Sequence, residues 1–583
     1  MRREWKFDKL DSKDMAHVCI HTGPHDASVS IVQNGQLMHL MEERFCHSKH
    51  ACTAMYAVQD IPTWCSYISQ LSFSNLFYQH TDFGFIQAYL VDILKMPLRI
   101  DEEIGSPMKG TIHVDHHYLH AKTSHSHSGF DDAVVLVIDG AGSNYTFGKE
   151  NLSIYEVSNR CFTPLYKSVV GDGTPINIDV PNFVDKKTNI GAGFVYTAVT
   201  EWIGFGGLES GKTMGLSAYG KYDDRIRELI SIEDCGTKSC NLRTDTFNNS
   251  SSDYTKIGNI GICGATLNKE YVPLDRLDER NKFNIAYRVQ KDFEKYLIHT
   301  CKKVLDMSKS KNLILTGGCA LNCVANYKLL KQLTNDVNLF VDPTCDDSSV
   351  SIGGAYHTYH QKSPNTSFKL KNLYKGRPLQ YEYELLEDES EYEAHLKDIA
   401  KLLTKGNIVA IAQGRSEIGP RALGNRSILF DPRVKNGKDI VNRVKKREHF
   451  RPFAGTVLLE HARDWFDMDR LEESPFMTYA IDVLPEKRNI IPSIVHEDGT
   501  CRIQTVTREQ NKHYYGLISE FYKETGVPIL FNTSFNLAGD TMVDTIEDGL
   551  ITLRNSELEY MYLPDIDTLI RIPNKYYAPT TNS

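Results

Sequence analysis

Residues 206–213 read GGLESGKT, which satisfies the P-loop pattern of glycine, four residues, glycine, lysine and threonine. The fold turns on whether this is a phosphate-cradling loop. A true P-loop joins a buried strand to the helix whose first amides face the phosphates. The residues leading into it, GFVYTAVTEWIGFG (193–206), place Ala198, Val199, Trp202 and Ile203 at helical spacing, so Gly204 to Gly207 read as the end of a helix. The pattern therefore predicts a glycine-bordered turn between helices, and argues against an ordinary P-loop nucleotidase.

Strands with a different kind of ending lie on either side. AVVLVIDGAGS (133–143) is an apolar run that stops at Asp139 and a Gly-Ala-Gly loop, and NLILTGGCALN (312–322) stops at Gly317-Gly318 before the helix-like ALNCVANYKLLKQL. Near the start, HVCIHTGPHDASVSIVQNGQLMHLMEERF holds two β-rich runs around Asn34-Gly35, a strong hairpin signal. Strands that end in acidic or glycine-rich loops place ligands at their C-terminal ends. Repeated strand units of this kind predict an α/β fold, the duplicated nucleotide-binding architecture shared by actin, sugar kinases and the large heat-shock chaperones. The stretch 361–383, with Pro364 and Pro378 and no helical period, predicts the boundary to a second large domain. After it a helix over EYEAHLKDIAKLLTKG (391–406), a buried strand NIVAIAQG and a later strand VPILFNTSF are expected.

Bulk properties restrict the class. A chain of 583 residues suggests several domains, and a net charge of -9 argues against a surface built throughout for nucleic acid. No run of 18 apolar residues occurs and the N-terminal segment lacks a signal-peptide core, so a cytoplasmic protein without a membrane segment is expected. Thirteen scattered cysteines with no C-x-x-C pair fit reduced thiols.

Three constellations carry chemistry. In IHVDHHYLHAKTSHSHS (112–128), His116 and His120 stand at i, i+4, which puts both imidazoles on one helix face, and Asp139 is a candidate to complete a metal site. A solvated histidine-rich surface is the alternative. GPHDAS (23–28) offers His25 as a base for a hydroxyl nucleophile, against a purely structural role. In GRSEIGPRALGNRS (414–427) and NRVKKREHFRPFAG (442–455), Arg421, Lys445, Lys446, Arg447 and Arg451 alternate with Gly, Pro and Phe, a non-periodic arrangement suited to converging on phosphorylated ligands, and FNTSFN (531–536) follows.

HDASVSIVQNGQL with EERF and KH, HHYLHA, VVLVIDGAGS, ESGKTMGLSAYG, LTGGCALNCVAN, GRSEIGPRALGNRSILFDPR, KREHFRPFAG and FNTSFNLAGD occur in this order. Together they resemble the ATP-dependent O-carbamoyltransferases of antibiotic and nodulation-factor biosynthesis. The resemblance implies an actin-like (ASKHA) carbamoyl-transfer domain, 1–365, similar to the domain that threonylcarbamoylates tRNA, and a YrdC-like domain, 366–583, that forms a carbamoyl-adenylate from carbamoyl phosphate and ATP. It implies that His116, His120, Asp139 and Asp347 hold a divalent metal, iron being expected and magnesium the alternative, with Asp346 competing for the last place. It further implies His25 as base on the acceptor hydroxyl and Lys49 near the transferring group. Gly317, Gly318 and Asn322 would hold adenosine, Arg421, Lys445 and Arg451 would contact carbamoyl phosphate, with Lys446 an alternative to Lys445, and Asn532 and Ser534 would form a second polar wall. Arg447 belongs to the same cationic set, and Lys212 lines the nucleotide or carbamoyl site.

The acceptor stays open between a small alcohol or sugar and a hydroxymethylated base such as hydroxymethylcytosine in nucleic acid. A non-enzymatic actin-like nucleotide switch is the rival of another class, and it has no need for the C-terminal arginines. The loops 51–110 and 221–285 are expected to line the acceptor pocket. Self-pairing into a homodimer is a further expectation.

Overall fold

The computed structural model describes residues 16–23, 25–65, 68–75, 98–100, 115–145, 148–170, 182, 184–187, 191–232, 240–242 and 265–573. Strands β1 (Ala16–Thr22), β2 (Ser28–Gln33) and β3 (Gln36–Met41) lead into helices α1 (Glu42–Cys46) and α2 (Met55–Trp64), then β4 (Ile68–Asn75) and β5 (Leu98–Ile100). The β2–β3 turn is Asn34-Gly35 with φ of 53° and 71°, the left-handed pair that a two-residue hairpin requires. These strands form a sheet of order β3-β2-β1-β4-β5, antiparallel across β1–β2 and β2–β3 and parallel across β1–β4 and β4–β5.

Helix α3 (His116–Ser128) then introduces a second sheet: β6 (Ala133–Ile138), the short β7 (Asn144–Tyr145), β8 (Gly148–Ser158), β9 (Cys161–Val170) and β10 (Val184–Lys187). Helices α4 (Ala192–Ile203) and α5 (Ser210–Leu216), the small pair β11 (Cys240–Leu242) and β12 (Ala265–Leu267) and the long helix α6 (Glu279–Met307) follow. Next come β13 (Asn312–Thr316), α7 (Cys323–Gln332), β14 (Asn338–Val341) and α8 (Val350–Lys362). The path of the second sheet, β10-β9-β8-β6-β13-β14, contains the first sheet's order again: β6, β8 and β9 are antiparallel neighbours, and β13 and β14 are added in parallel. The same topology twice is the duplicated actin-like arrangement, reached from this chain's own hydrogen bonding.

α8 lies against both repeats. A Cβ on Gly353 would strike the Leu119 carbonyl oxygen of α3, and one on Gly354 would strike Cys19 Sγ of β1, so only glycine permits this approach. α3 is buried along nearly its whole length in spite of its histidines, serines and lysine. Its hydroxyls bond back to the preceding turn, Thr123 to Leu119 O at 3.0 Å and Ser126 to Lys122 O at 2.8 Å, which satisfies them without solvent. The solvated-surface alternative for this segment is thereby removed.

No regular element occurs from 363 to 389. Beyond it one nine-stranded mixed sheet is built from β15 (Ser390–Glu393), β16 (Val409–Ala412), β17 (Arg426–Phe430), β18 (Ala454–Leu458), β19 (Ala480–Asp482), β20 (Thr500–Val506), β21 (Ile529–Ser534), β22 (Tyr560–Leu563) and β23 (Thr568–Arg571). Helices α9 (Leu396–Thr404), α10 (Gly437–Val444), α11 (Lys512–Thr525) and α12 (Ile546–Arg554) accompany it. The helix expected over 391–406 is shorter: Ser390–Glu393 pairs with β23, and the helix starts only after the capping box of His395 and Asp398. The expected acceptor loops 51–110 and 221–285 contain α2, β4 and the start of α6, while 76–97, 101–114, 233–239 and 243–264 lie outside the described residues. Among the described residues no helix is long and apolar enough to cross a membrane, and the described cysteines are free.

Candidate active site

The GGLESGKT turn runs from α4 to α5, with Gly204 ending α4 at φ 111°. A helix precedes it, so the P-loop geometry is absent there, as the periodicity predicts. Lys212 nevertheless lines a cavity of about 870 Å³ that extends from the ends of β1 and β6 to the ends of β20 and β21.

The N-terminal wall holds the metal-ligand candidates. Asp139 follows β6, His116 and His120 come from α3, and Asp347 comes from the turn before α8. One ligand atom from each lies within 4.8 Å of all the others. His116 Nε2 is 3.1 Å from His120 Nε2, 3.5 Å from Asp139 Oδ2 and 3.4 Å from Asp347 Oδ1. Two imidazole nitrogens and two carboxylates around one point form a donor set for a first-row divalent ion, less suited to magnesium, which prefers oxygen and water. Asp139 Oδ2 is buried with no hydrogen-bond partner, as an oxygen meant for a cation would be. Asp346 points elsewhere, accepting from the Ser348 amide and hydroxyl. The geometry therefore puts Asp347 in the group and leaves Asp346 as the cap of its own turn.

A buried network holds this helix in place. Asp115 caps α3 by accepting from the Tyr118 amide at 2.9 Å, and Lys167 reaches Asp115 Oδ2 at 2.5 Å and Glu150 Oε2 at 2.7 Å. Glu150 Oε1 in turn accepts from the amides of His117 and Ser143. The carboxylates hold the Lys167 ammonium in its charged form even though burial opposes it.

His25 lies in the turn after β1. Its Nδ1 donates to Asp26 Oδ2 at 3.0 Å, while His50 Nδ1 donates to Asp26 Oδ1 at 2.7 Å. Its other nitrogen faces Asp347 Oδ2 at 3.6 Å. Burial disfavours the imidazolium, but Asp347 and Asp26 outweigh it and raise the pKa to about 9. Lys49 lines the same wall, its pKa lowered by burial and by the charges of Arg451 and Lys212 against the pull of Glu43 and Glu209.

The glycine loop abuts the ligand group. Gly317, at φ 85°, has no room for a side chain, since a Cβ would lie 2.5 Å from the Ile138 carbonyl oxygen. Gly318 faces Asp139, where a Cβ would stand 3.0 Å from Oδ1, and it lines the cavity together with Asn322. Asn322 caps α7 by accepting from the Ala325 amide at 3.0 Å and donates to Gln290 Oε1 at 2.9 Å, so its amide is already oriented.

The opposite wall is cationic. Arg421, Lys445, Arg447 and Arg451 all reach it. Burial and then the neighbouring Arg502 push the Arg421 pKa down to about 10, and burial with Arg451 and Arg502 holds that of Arg447 well below its usual value. Lys445 is depressed by burial and by Arg447, Lys49 and Arg451, and it donates to Asn536 O and to Asn536 Oδ1, each at 2.9 Å. Cations that depress one another in this way are set for an anion. Asn532 and Ser534, on β21, line the cavity as expected, with the Asn532 amide held by Thr456 and Gln504. Sequence reasoning missed Arg502, whose Nε is buried without a partner and which lines the cavity from β20. A lone arginine in TCRIQTV was its only trace. It also missed Glu448 and the contact of His50 with Asp26.

Fold and site thus define an actin-like α/β protein whose candidate metal-ligand group opens, through Asp139 and Asp347, on one cavity with the cationic residues of a second sheet. The family described as carbamoyltransferase N-terminus matches residues 86–356, and the carbamoyltransferase C-terminus family matches 400–569. Nodulation protein NolO of Bradyrhizobium diazoefficiens is 31% identical, covering 76% of this chain and 77% of its own. The 3'-hydroxymethylcephem-O-carbamoyltransferase of Streptomyces clavuligerus is 34% identical over 45% of this chain and 49% of its own. Among solved structures, T. kodakarensis HypF aligns with a TM-score of 0.34 at 11% identity, over 61% of this chain and 49% of that one. The chain belongs to the carbamoyltransferase family, and it is an enzyme of that family.

Proposed function

We propose that the protein is an ATP-dependent O-carbamoyltransferase working through a carbamoyl-adenylate, with residues 1–365 as the transfer domain and 366–583 as the adenylate-forming domain. In the cationic half, water releases phosphate from carbamoyl phosphate, and an oxygen of the resulting carbamate displaces pyrophosphate from the α-phosphorus of ATP. Arg421, Lys445, Arg447, Arg451 and Arg502 neutralise the phosphate charge that gathers there. The adenylate is then held by Gly318 and Asn322, its phosphate towards the group formed by His116, His120, Asp139 and Asp347. A divalent ion held by that group, iron in keeping with its two imidazoles, would stabilise departing AMP and offset the Asp347 charge that raises the His25 pKa. His25 takes the proton of the acceptor hydroxyl, whose oxygen attacks the carbamoyl carbon as the bond to AMP breaks, and Asp26 orients the ring.

The observation that carries this reading is the shared cavity, in which a hydrolysis-prone anhydride could pass from one half to the other. The named activity of the cephem relative supports a small alcohol as acceptor. The test is incubation with ATP, labelled carbamoyl phosphate and a panel of sugars, hydroxymethyl heterocycles and hydroxymethylated DNA. Label is expected on a small alcohol, with AMP, phosphate and pyrophosphate formed alongside. Pyrophosphate formation that does not depend on carbamoyl phosphate would sink the adenylate route. Label on the DNA alone would move the acceptor to nucleic acid.

A further inference from the structure

Lys212, the lysine of GGLESGKT, faces the cavity but is bound to carboxylates. Its Nζ lies 2.6 Å from Glu209 Oε1 and 2.8 Å from Glu448 Oε1. Glu209 belongs to the same turn. Glu448 belongs to the other half of the molecule, where its second oxygen is 3.6 Å from Arg451. The bridge sits on an apolar seat: Lys212 stands 5.3 Å over the Phe205 ring, Phe205 meets Phe450 at 5.9 Å between centroids, and Gly215 leaves room for Pro452. Glu448 is thus a carboxylate placed among the cations of an anion site, and it takes up positive charge from both halves at once.

We propose that Glu448 is a positioning residue that stands in for the travelling phosphate, holding Lys212 and Arg451 together across the junction until the anionic adenylate displaces it. Displacement exchanges one anion for another on the same two cations, so neither cation is left uncompensated during passage. Before passage the Lys212–Glu448 bridge keeps the two walls closed on each other and limits water. Without it the adenylate meets water and is lost as carbamate and AMP. This inference rests on the adenylate reading above.

The measurement is AMP released per acceptor carbamoylated, alongside carbamoyl-phosphate-dependent exchange of labelled pyrophosphate into ATP, in the full-length protein with its metal. In Glu448→Gln and in Lys212→Gln the ratio is expected to rise about ten-fold, the double variant being no worse than either single because the two groups act as one contact. Lys212→Arg, which keeps the charge, is expected to restore a ratio near that of the wild type. A wild-type ratio in both glutamine variants, or additive losses in the double variant, overturns the bridge while leaving the adenylate reading intact. Absence of exchange in the wild type overturns both.

Discussion

The two walls of the cavity solve the same problem, placing charge away from water, in opposite ways. On the N-terminal wall nearly every charge meets its complement: Lys167 has Asp115 and Glu150, and Asp26 is shared by His25 and His50. On the C-terminal wall burial lowers the pKa of Arg421, Arg447, Arg451 and Lys445, neighbouring cations lower them further, and among the described residues only Arg451 has a carboxylate, Glu448, against it in partial compensation. A wall of paired charges suits a neutral nucleophile and a cation, whereas a wall of clustered cations suits an anion. On the proposed mechanism, proton transfer belongs to the first side and phosphate chemistry to the second.

The largest expected effect separates the two walls directly. His25→Asn should lower acceptor carbamoylation by about 10³-fold while pyrophosphate exchange persists, as for loss of a positioned base. Equal loss of both activities would remove the division of labour. Lys167→Met leaves Asp115 and Glu150 facing each other in the core and should cost about 3–5 kcal/mol of stability, read from the denaturant midpoint. An unchanged midpoint would show that the N-terminal wall does not depend on its charge balance. Arg502→Ala should reduce pyrophosphate exchange by about 10²-fold, in the range for removing one preorganised donor, with metal content by elemental analysis unchanged. Loss of metal instead would mean that the walls are not independent.

The smallest effect concerns the far side of α3. Burial, followed by Arg160, lowers the Lys122 pKa from 10.5 to about 8. Between those values the unfolded chain holds a proton that the folded chain has released, so stability from this group rises with pH. Lys122→Met should abolish that rise in thermal scans taken across the same interval. A slope identical to that of the wild type would contradict the assignment.

Much of the local architecture could be read from the chain. Apolar runs ending at Asp139 and Gly317-Gly318, the Asn34-Gly35 hairpin and the helical period before GGLESGKT are short-range signals, and the structure places them as the sequence predicts. The candidate ligands could be named because His116 and His120 share a helix face and Asp139 ends an apolar strand, while the resemblance supplied Asp347. What escaped were relations between distant residues. Arg502 is one residue in an alternating strand, and only the pairing of β20 with β18 carries it to the cavity. The link from His50 to Asp26 depends on both residues adopting positive φ, 55° and 59°, which their identity does not announce. Residues 391–393 read as the start of a helix until β23 is available to pair with them. Strand register and the meeting of two halves are tertiary facts, and composition does not encode them locally.

The glycine pair of α8 has a mechanical consequence. Gly353 rests on the α3 backbone and Gly354 on the short Cys19 side chain of β1, so both repeats bear closely on one helix. Such a contact leaves little slack between α8 and either repeat. The turn after β1 carries His25 and the turn after β6 carries Asp139, at matching places in the two repeats. The fit of α8 therefore bears on both turns, and a residue larger than glycine at either position is expected to alter the distance between His25 and Asp139.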